Sequence, residues 1–327
     1  MDSIVHFGNV EFLATVEDPD WHFIASLKLS ERNPNHLLAA YEGAFMLIDK
    51  NTGEVNVIAG HLYERGYKED IGKAARFIYI RGSVELQNGY LVSDRENFCI
   101  RMVNYQTLQT TTFAGKCKNW GHTDGNLQEA RMKAPSEILK DPKDSTIFYF
   151  LDLYHLRRIN LDTQVVATIC RFETTPMALV INPFGGLLVS GSYAIVQVNE
   201  TTGDKDLLAG RLGYASDAYG CSSCPFRSSI FSQITGVLFV TPTVILVSMF
   251  YENAIRMLNV TSHEDTPIHL DETPYAGYEN GHYTEAKFSL PYSFAMDESY
   301  IYIAELNRFG GGLRRMEYSG MLYVLSI

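Results

Sequence analysis

Apolar residues along this chain gather in short runs bounded by polar turns. No segment carries a helical period longer than the patch NLQEARM at 126–132. Short apolar runs between Gly, Asn, Asp and Ser clusters predict strands rather than helices. Six such runs begin at Leu37, Tyr90, Ile147, Leu187, Val244 and Ile301, reading LLAAYEG, YLVSDREN, IFYFLDLYH, LLVSGSYA, VILVSMFYEN and IYIAELNRF. Their spacings are 53, 57, 40, 57 and 57 residues, a period that marks a repeat architecture.

A second run follows each first one: FMLIDK, CIRMVNY, LRRINLD, AIVQVNE, AIRMLNV and GLRRMEY. Four of these carry an apolar residue followed by arginine, at Ile100-Arg101, Leu156-Arg157, Ile255-Arg256 and Leu313-Arg314. A third run ends in Ala-Gly at Ala59, Ala114 and Ala209, a long polar loop follows, and a fourth run such as FIYIRGSVEL re-enters the pattern. From Ala59 to Ala75, Ala114 to Ala130 and Ala209 to Pro225 the loop advances 16 residues; from Ala276 to Ala286 it advances 10.

Each unit is therefore four short strands, too small to bury its own apolar faces. Stacking such sheets face to face around an axis buries them, which is the propeller solution. The expected fold is all-β: one domain over 1–327, a six-bladed β-propeller of four-stranded antiparallel blades. The blades are expected at 37–89, 90–146, 147–186, 187–243, 244–299, and 300–327 plus 10–36. In the last blade, HFIASLKLSERNP (22–34) and VEFLATVED (10–18) are expected to meet the C-terminal strands, so that the chain ends close the sheet and remove two exposed edges.

The unit at 92–142 resembles an NHL repeat. The residues that carry the likeness are Val92-Ser93-Asp94, Asn97, Ile100-Arg101, Ala114-Gly115, Asp124-Gly125, Ala130-Arg131-Met132 and Pro135. The match is good at 37–89 and 244–297, partial at 187–242 and poor at 147–186. The resemblance implies a six-bladed propeller and no particular activity, because such propellers serve enzymes and binding modules alike. It also implies that Met132, Phe77 and Phe288 pack between blades where the loops re-enter the sheets.

Charge narrows the partners. With 27 basic and 38 acidic residues the net charge is -11, which argues against nucleic acid and against an anionic membrane surface. The longest apolar candidate, 236–250, is broken by Pro242, so no membrane insertion is expected. The aromatic content of the long loops points instead to recognition. Tyr63, Tyr67, Trp120, His122, Tyr214, Tyr219, Tyr278, His282 and Tyr283 all fall there, and such residues suit a protein or glycan ligand.

Three further chemistries compete with this one. Carboxylates ending the first runs, Asp94, Asp152 and Glu305, with Asn97 and Asn253 near them, form an irregular oxygen set; six-bladed lactonases hold Ca²⁺ on such sets, so a Ca²⁺-assisted hydrolase is the alternative function. The competing reading makes each of these Asp residues a cap of the following turn. A zinc lyase is disfavoured, because matched loop histidines in different blades point in different directions. The arginines are expected to pack their stems between blades and to meet a neighbouring blade's acid, or else to bind an anionic ligand.

Of the five cysteines, Cys221 and Cys224 are expected to close their loop as a disulfide, and Cys99 reads as core. Cys117 is left between pairing with Cys170 and remaining a thiol. The sequons at Asn199 and Asn259 sit at strand-to-turn boundaries that suit a glycan. Together these point to an extracellular or secreted protein, alone or as part of a larger chain.

Overall fold

The computed structural model describes residues 5–17, 24–210, 231–262, 264–267, 276–307 and 310–319. The fold is all-β, with six antiparallel sheets of four or five strands, the six blades expected of the propeller class. The chain divides into two compact units, one of His22–Phe172 and one of Met1–Trp21 with Glu173–Ile327.

The first unit holds three blades. Blade 1 is Ile24–Leu29, His36–Tyr41, Ala44–Asp49 and Val55–Gly60. Blade 2 is Ile80–Leu86, Gly89–Asp94, Cys99–Asn104 and Thr110–Ala114. Blade 3 is Pro135–Lys140, Ile147–Asp152, His155–Asn160 and Val165–Arg171, with Gly125–Asn126 of the preceding loop added at its edge.

The second unit holds the other three. Blade 4 is Ala178–Ile181, Leu187–Ser190, Ala194–Val198 and Lys205–Gly210. Blade 5 is Ile234–Thr241, Val244–Met249, Ala254–Asn259 and Glu264–Pro267. Blade 6 is Ser293–Met296, Tyr300–Asn307, Gly310–Ser319 and the N-terminal strand His6–Glu17, edged by Gly281–His282.

The two chain ends share blade 6 as expected, but through one segment only. His6–Glu17 pairs with Gly310–Ser319, from His6 opposite Ser319 to Glu17 opposite Gly310. Ile24–Leu29, expected in the same blade, instead opens blade 1 against His36–Tyr41. The phase of every blade shifts accordingly: each sheet starts one strand earlier than the expected boundaries at 37, 90, 147, 187, 244 and 300. The strand after each long loop pairs with the run that follows it, because a short turn joins the two while the loop before it crosses to a new sheet.

Within each unit, consecutive blades pack face to face over closed apolar cores. Phe77 lies between blades 1 and 2, Met132 between 2 and 3, Phe231 between 4 and 5, and Phe288 between 5 and 6, all essentially without solvent contact. Three of these plugs are those expected from the repeat, and Phe231 is a fourth. First strands of successive blades approach so closely that a side chain on Gly82 has no room: a Cβ there would stand 2.6 Å from the Ser136 carbonyl oxygen.

The turn after the third strand also repeats. Asp49, Asn104, Asn160, Asn199 and Asn259 each accept backbone N–H hydrogen bonds from residues two or three positions on. These are Asx turns, in which a short polar side chain replaces a backbone acceptor. The two sequons thus sit at a structural turn position, with a Thr placed after the Asn in both.

Candidate functional site

In the long loops that precede blades 2, 3 and 6 the repeat builds a clamp. Asp94 Oδ1 accepts from the Ile78 amide (2.8 Å), and Oδ2 accepts from Asn97 Nδ2 (2.8 Å) and Arg101 Nη1 (3.0 Å). Arg101 Nη2 then donates to the Lys68 carbonyl of the loop at 3.2 Å, and its guanidinium lies 5.2 Å from the Phe77 ring centre. Blade 3 repeats this: Asp152 accepts from the Lys133 and Ala134 amides and from Arg157, which donates to the carbonyls of Arg131 and Thr123. In blade 6, Arg314 stands 3.8 Å from Glu305 and donates to Glu279 of the loop. In blade 5, Arg256 pairs with Asp265 and sits over Phe231.

This corrects two expectations. The acid that meets each arginine comes from the arginine's own blade, because the two face each other across a hairpin, and no ligand can reach guanidinium groups 0–3% exposed. Asp94 does not cap the turn that follows it; it holds the amide of the preceding loop instead.

The same bonds occupy the carboxylates proposed as Ca²⁺ ligands. Asp94, Asp152 and Glu305 are buried, and their oxygens are engaged by backbone amides and arginine. Among the described residues no three His, Cys, Asp or Glu side chains gather where a metal ion could be held.

Burial pushes Asp94 up to about 6 and Glu305 up to about 7, with their arginines and amide donors offsetting only part of it. Asp152 goes the other way. Burial would raise it too, but His122, a backbone amide and Arg157 outweigh that and hold it below its ordinary value.

Blade 3 departs from the repeat at three positions, and the departures converge. His122 stands where Tyr67 stands one loop earlier, His155 where Cys99 opens its strand, and Lys133 where Ile78 follows the interblade plug. His122 and His155 stack with ring centres 3.9 Å apart and planes 21° from parallel. Thr168 donates its hydroxyl to Asp124 Oδ1 (2.8 Å), so toward His122 it acts as acceptor and the Nε2–H donates, at 3.3 Å. His122 Nδ1 faces Asp152 Oδ2 across 3.9 Å, beyond hydrogen-bond length. Burial, reinforced by the neighbouring His122, lowers the His155 pKa.

Next to the stack, Gly121 and Met132 form a backbone rung that sets Trp120 beside Lys133. The ammonium sits 5.2 Å from the indole centre, and Trp120 is 57% exposed. Among the described residues no carboxylate pairs with Lys133.

The other loop residues divide. Tyr63 and Tyr278 are exposed. Tyr67 is half-buried, bonded to Glu69 and Thr112, with Arg101 and Lys118 over its ring. His282 forms an edge rung with Asn9, and Tyr283 packs on Phe7 in the apolar core, so it is less open than expected. Tyr214, Tyr219, Cys221 and Cys224 lie outside the described residues.

The cysteine expectations are corrected as well. Cys99 is not a core thiol, and Cys117 does not pair with Cys170. Cys99 and Cys117 are joined to each other, with Cα atoms 5.0 Å apart. The bond ties the start of the third strand of blade 2 to the base of the loop that carries Trp120 and His122. Pairing an interior strand end with a loop has no local sequence signature, which is why the spacing did not reveal it.

No known protein family matches the chain, and no curated protein sequence matches it. Solved structures do. An auxiliary nutrient binding protein from Bacteroides thetaiotaomicron aligns over 96% of this chain and 77% of its own, at 13% identity and a TM-score of 0.68. A gluconolactonase from Xanthomonas campestris covers 91% and 86% at 10% identity, with a TM-score of 0.55. Virginiamycin B lyase from Staphylococcus aureus covers 97% and 99% at 12% identity, with a TM-score of 0.54. At these identities the likeness is one of fold, shared by a binding protein and two enzymes.

Proposed function

We propose that this chain is a non-enzymatic binding module of NHL type, which recognises a protein or glycan through its long loops. The observation that carries this reading is the contrast within those loops. Asp94, Asp152, Glu305 and the arginines beside them are consumed in buried clamps that hold the loops to the sheets, while Trp120, Tyr63 and Tyr278 on the loops are left 57%, 58% and 41% exposed. A large aromatic ring on a rigidly clamped loop offers contact area at little ordering cost. The nutrient-binding neighbour is consistent with this role. The Cys99–Cys117 bond supports an oxidising, extracellular or periplasm-like compartment, where the exposed Asn199 would be open to glycosylation.

The test is binding to immobilised panels of glycans and extracellular proteins, comparing the native chain with Trp120→Ala/Tyr278→Ala. Loss of ten-fold or more in affinity for the ligands found is expected. If the double variant keeps every ligand, the loops are not the contact surface.

A further inference from the structure

We infer that the surface formed by Trp120, Lys133 and His122 on blade 3 is a subsite for a carboxylate-bearing sugar. This rests on the binding-module reading and specifies its ligand.

Three observations carry it. First, the chemistry lies where the chain leaves its own repeat. Positions shared by all blades explain the fold; His122, His155 and Lys133 replace Tyr67, Cys99 and Ile78, and the repeat requires none of them. The Lys133 backbone does the repeat's work by donating to Asp152, so its side chain is free of that duty.

Second, the charge is inverted locally. In a chain of net charge -11, the segment 114–133 carries Lys116, Lys118, Arg131 and Lys133 against Asp124 and Glu129. Lys116 pairs with Glu129, and Asp124 is held by Arg157 and Thr168. Asp152 is buried under Arg157. What faces outward at the Trp120 rung is therefore cationic, and Lys133 keeps its charge for an incoming anion.

Third, the shape of the anion's carrier is indicated. An exposed indole is a flat apolar platform, which suits the C–H face of a pyranose ring. The ammonium beside it suits a ring carboxylate, and His122, whose Nε2 is bonded to Thr168 and whose Nδ1 is buried against Asp152, borders the surface as a partly exposed ring. The stack on His155 holds that imidazole in place. An acidic peptide would use the lysine and leave the platform idle, and one aromatic in so acidic a chain does not make a nucleic-acid groove.

Isothermal titration of the whole chain with tri-galacturonate and with its neutral methyl ester tests this. Binding of the acid at least ten-fold tighter than the ester is expected. Lys133→Met should abolish that preference while leaving ester binding unchanged, and Lys133→Arg should retain it. Trp120→Ala should weaken both ligands ten-fold or more. Trp120 is exposed and Lys133 partly exposed, and an unchanged melting temperature in each variant confirms folding.

Equal affinity for acid and ester overturns the inference, as does a preference that survives Lys133→Met. Poly-glutamate competing with equal strength, regardless of Trp120, also overturns it and favours a peptide. Absence of saturable tri-galacturonate binding at millimolar concentration overturns the subsite alone; the panel comparison of the Trp120/Tyr278 variant decides the broader reading separately.

Discussion

Glu305 and Arg314 show what the recurrent acid–arginine pair costs and provides. Neither side chain reaches water, and each is held by one or two hydrogen bonds to loop backbone. Such a pair adds little net stability over an apolar pair, yet removing one partner strands a buried charge at about 3–5 kcal/mol. Its service is positional, since it fixes the loop to the sheet. Glu305 also carries a pH signature. Its pKa rises from 4.5 to about 7 on folding, so the native state holds the proton more tightly than the unfolded chain. That contribution is complete below pH 4.5 and is lost as pH rises through about 7. Glu305→Gln should therefore flatten the decline in melting temperature between pH 5 and 7.5, removing on the order of 1–3 kcal/mol of pH-dependent stability. An identical slope in the variant would show that this carboxyl is not its source.

At the scale of the element, the long loop is a strand connection, an edge cover and a display surface at once. Gly125–Asn126 and Gly281–His282 add short rungs to the outer strands of blades 3 and 6, shielding edges that would otherwise invite pairing with another chain. The Cys99–Cys117 bond closes 18 residues of sequence around this loop's base. Loop-closure entropy for that span is about 3 kcal/mol. Reducing the disulfide, or making Cys117→Ser, should lower stability by up to that amount. It should also weaken binding through Trp120, since the loop loses its covalent anchor. Chemical denaturation with and without reductant measures the first effect, and the panel assay the second. The loop's backbone skeleton was legible in the sequence, because Ala-Gly and Ala-Arg recur at one spacing. Its disulfide and its histidine stack were not, because each joins a loop residue to the start of a strand that only the fold brings beside it.

Blade 6 sets the scale of the whole molecule. The N-terminal strand brings Val10, Ala14 and Val16 into the core and covers the Gly310–Ser319 edge. Deleting residues 1–17 should uncover that edge and remove several buried apolar side chains, each worth roughly 1.5–3 kcal/mol. The expected result is a lower melting temperature with concentration-dependent self-association in size-exclusion chromatography. A monomer of unchanged stability would mean the strand is dispensable. The expected closing segment at 22–34 looked equally suitable from pattern alone. Alternation marks a strand's buried face but not its partner, and the hairpin to His36–Tyr41 decided the matter.

The order of apolar runs, the length of their period and the turn residues between them determined six antiparallel sheets, because strand periodicity and turn chemistry are local properties. Which run begins each sheet, which acid meets which arginine, and the meeting of Trp120, His122, Lys133 and His155 on one blade were decided only by tertiary structure. Those contacts join residues brought together by sheet register and loop crossing, and no spacing along the chain encodes them.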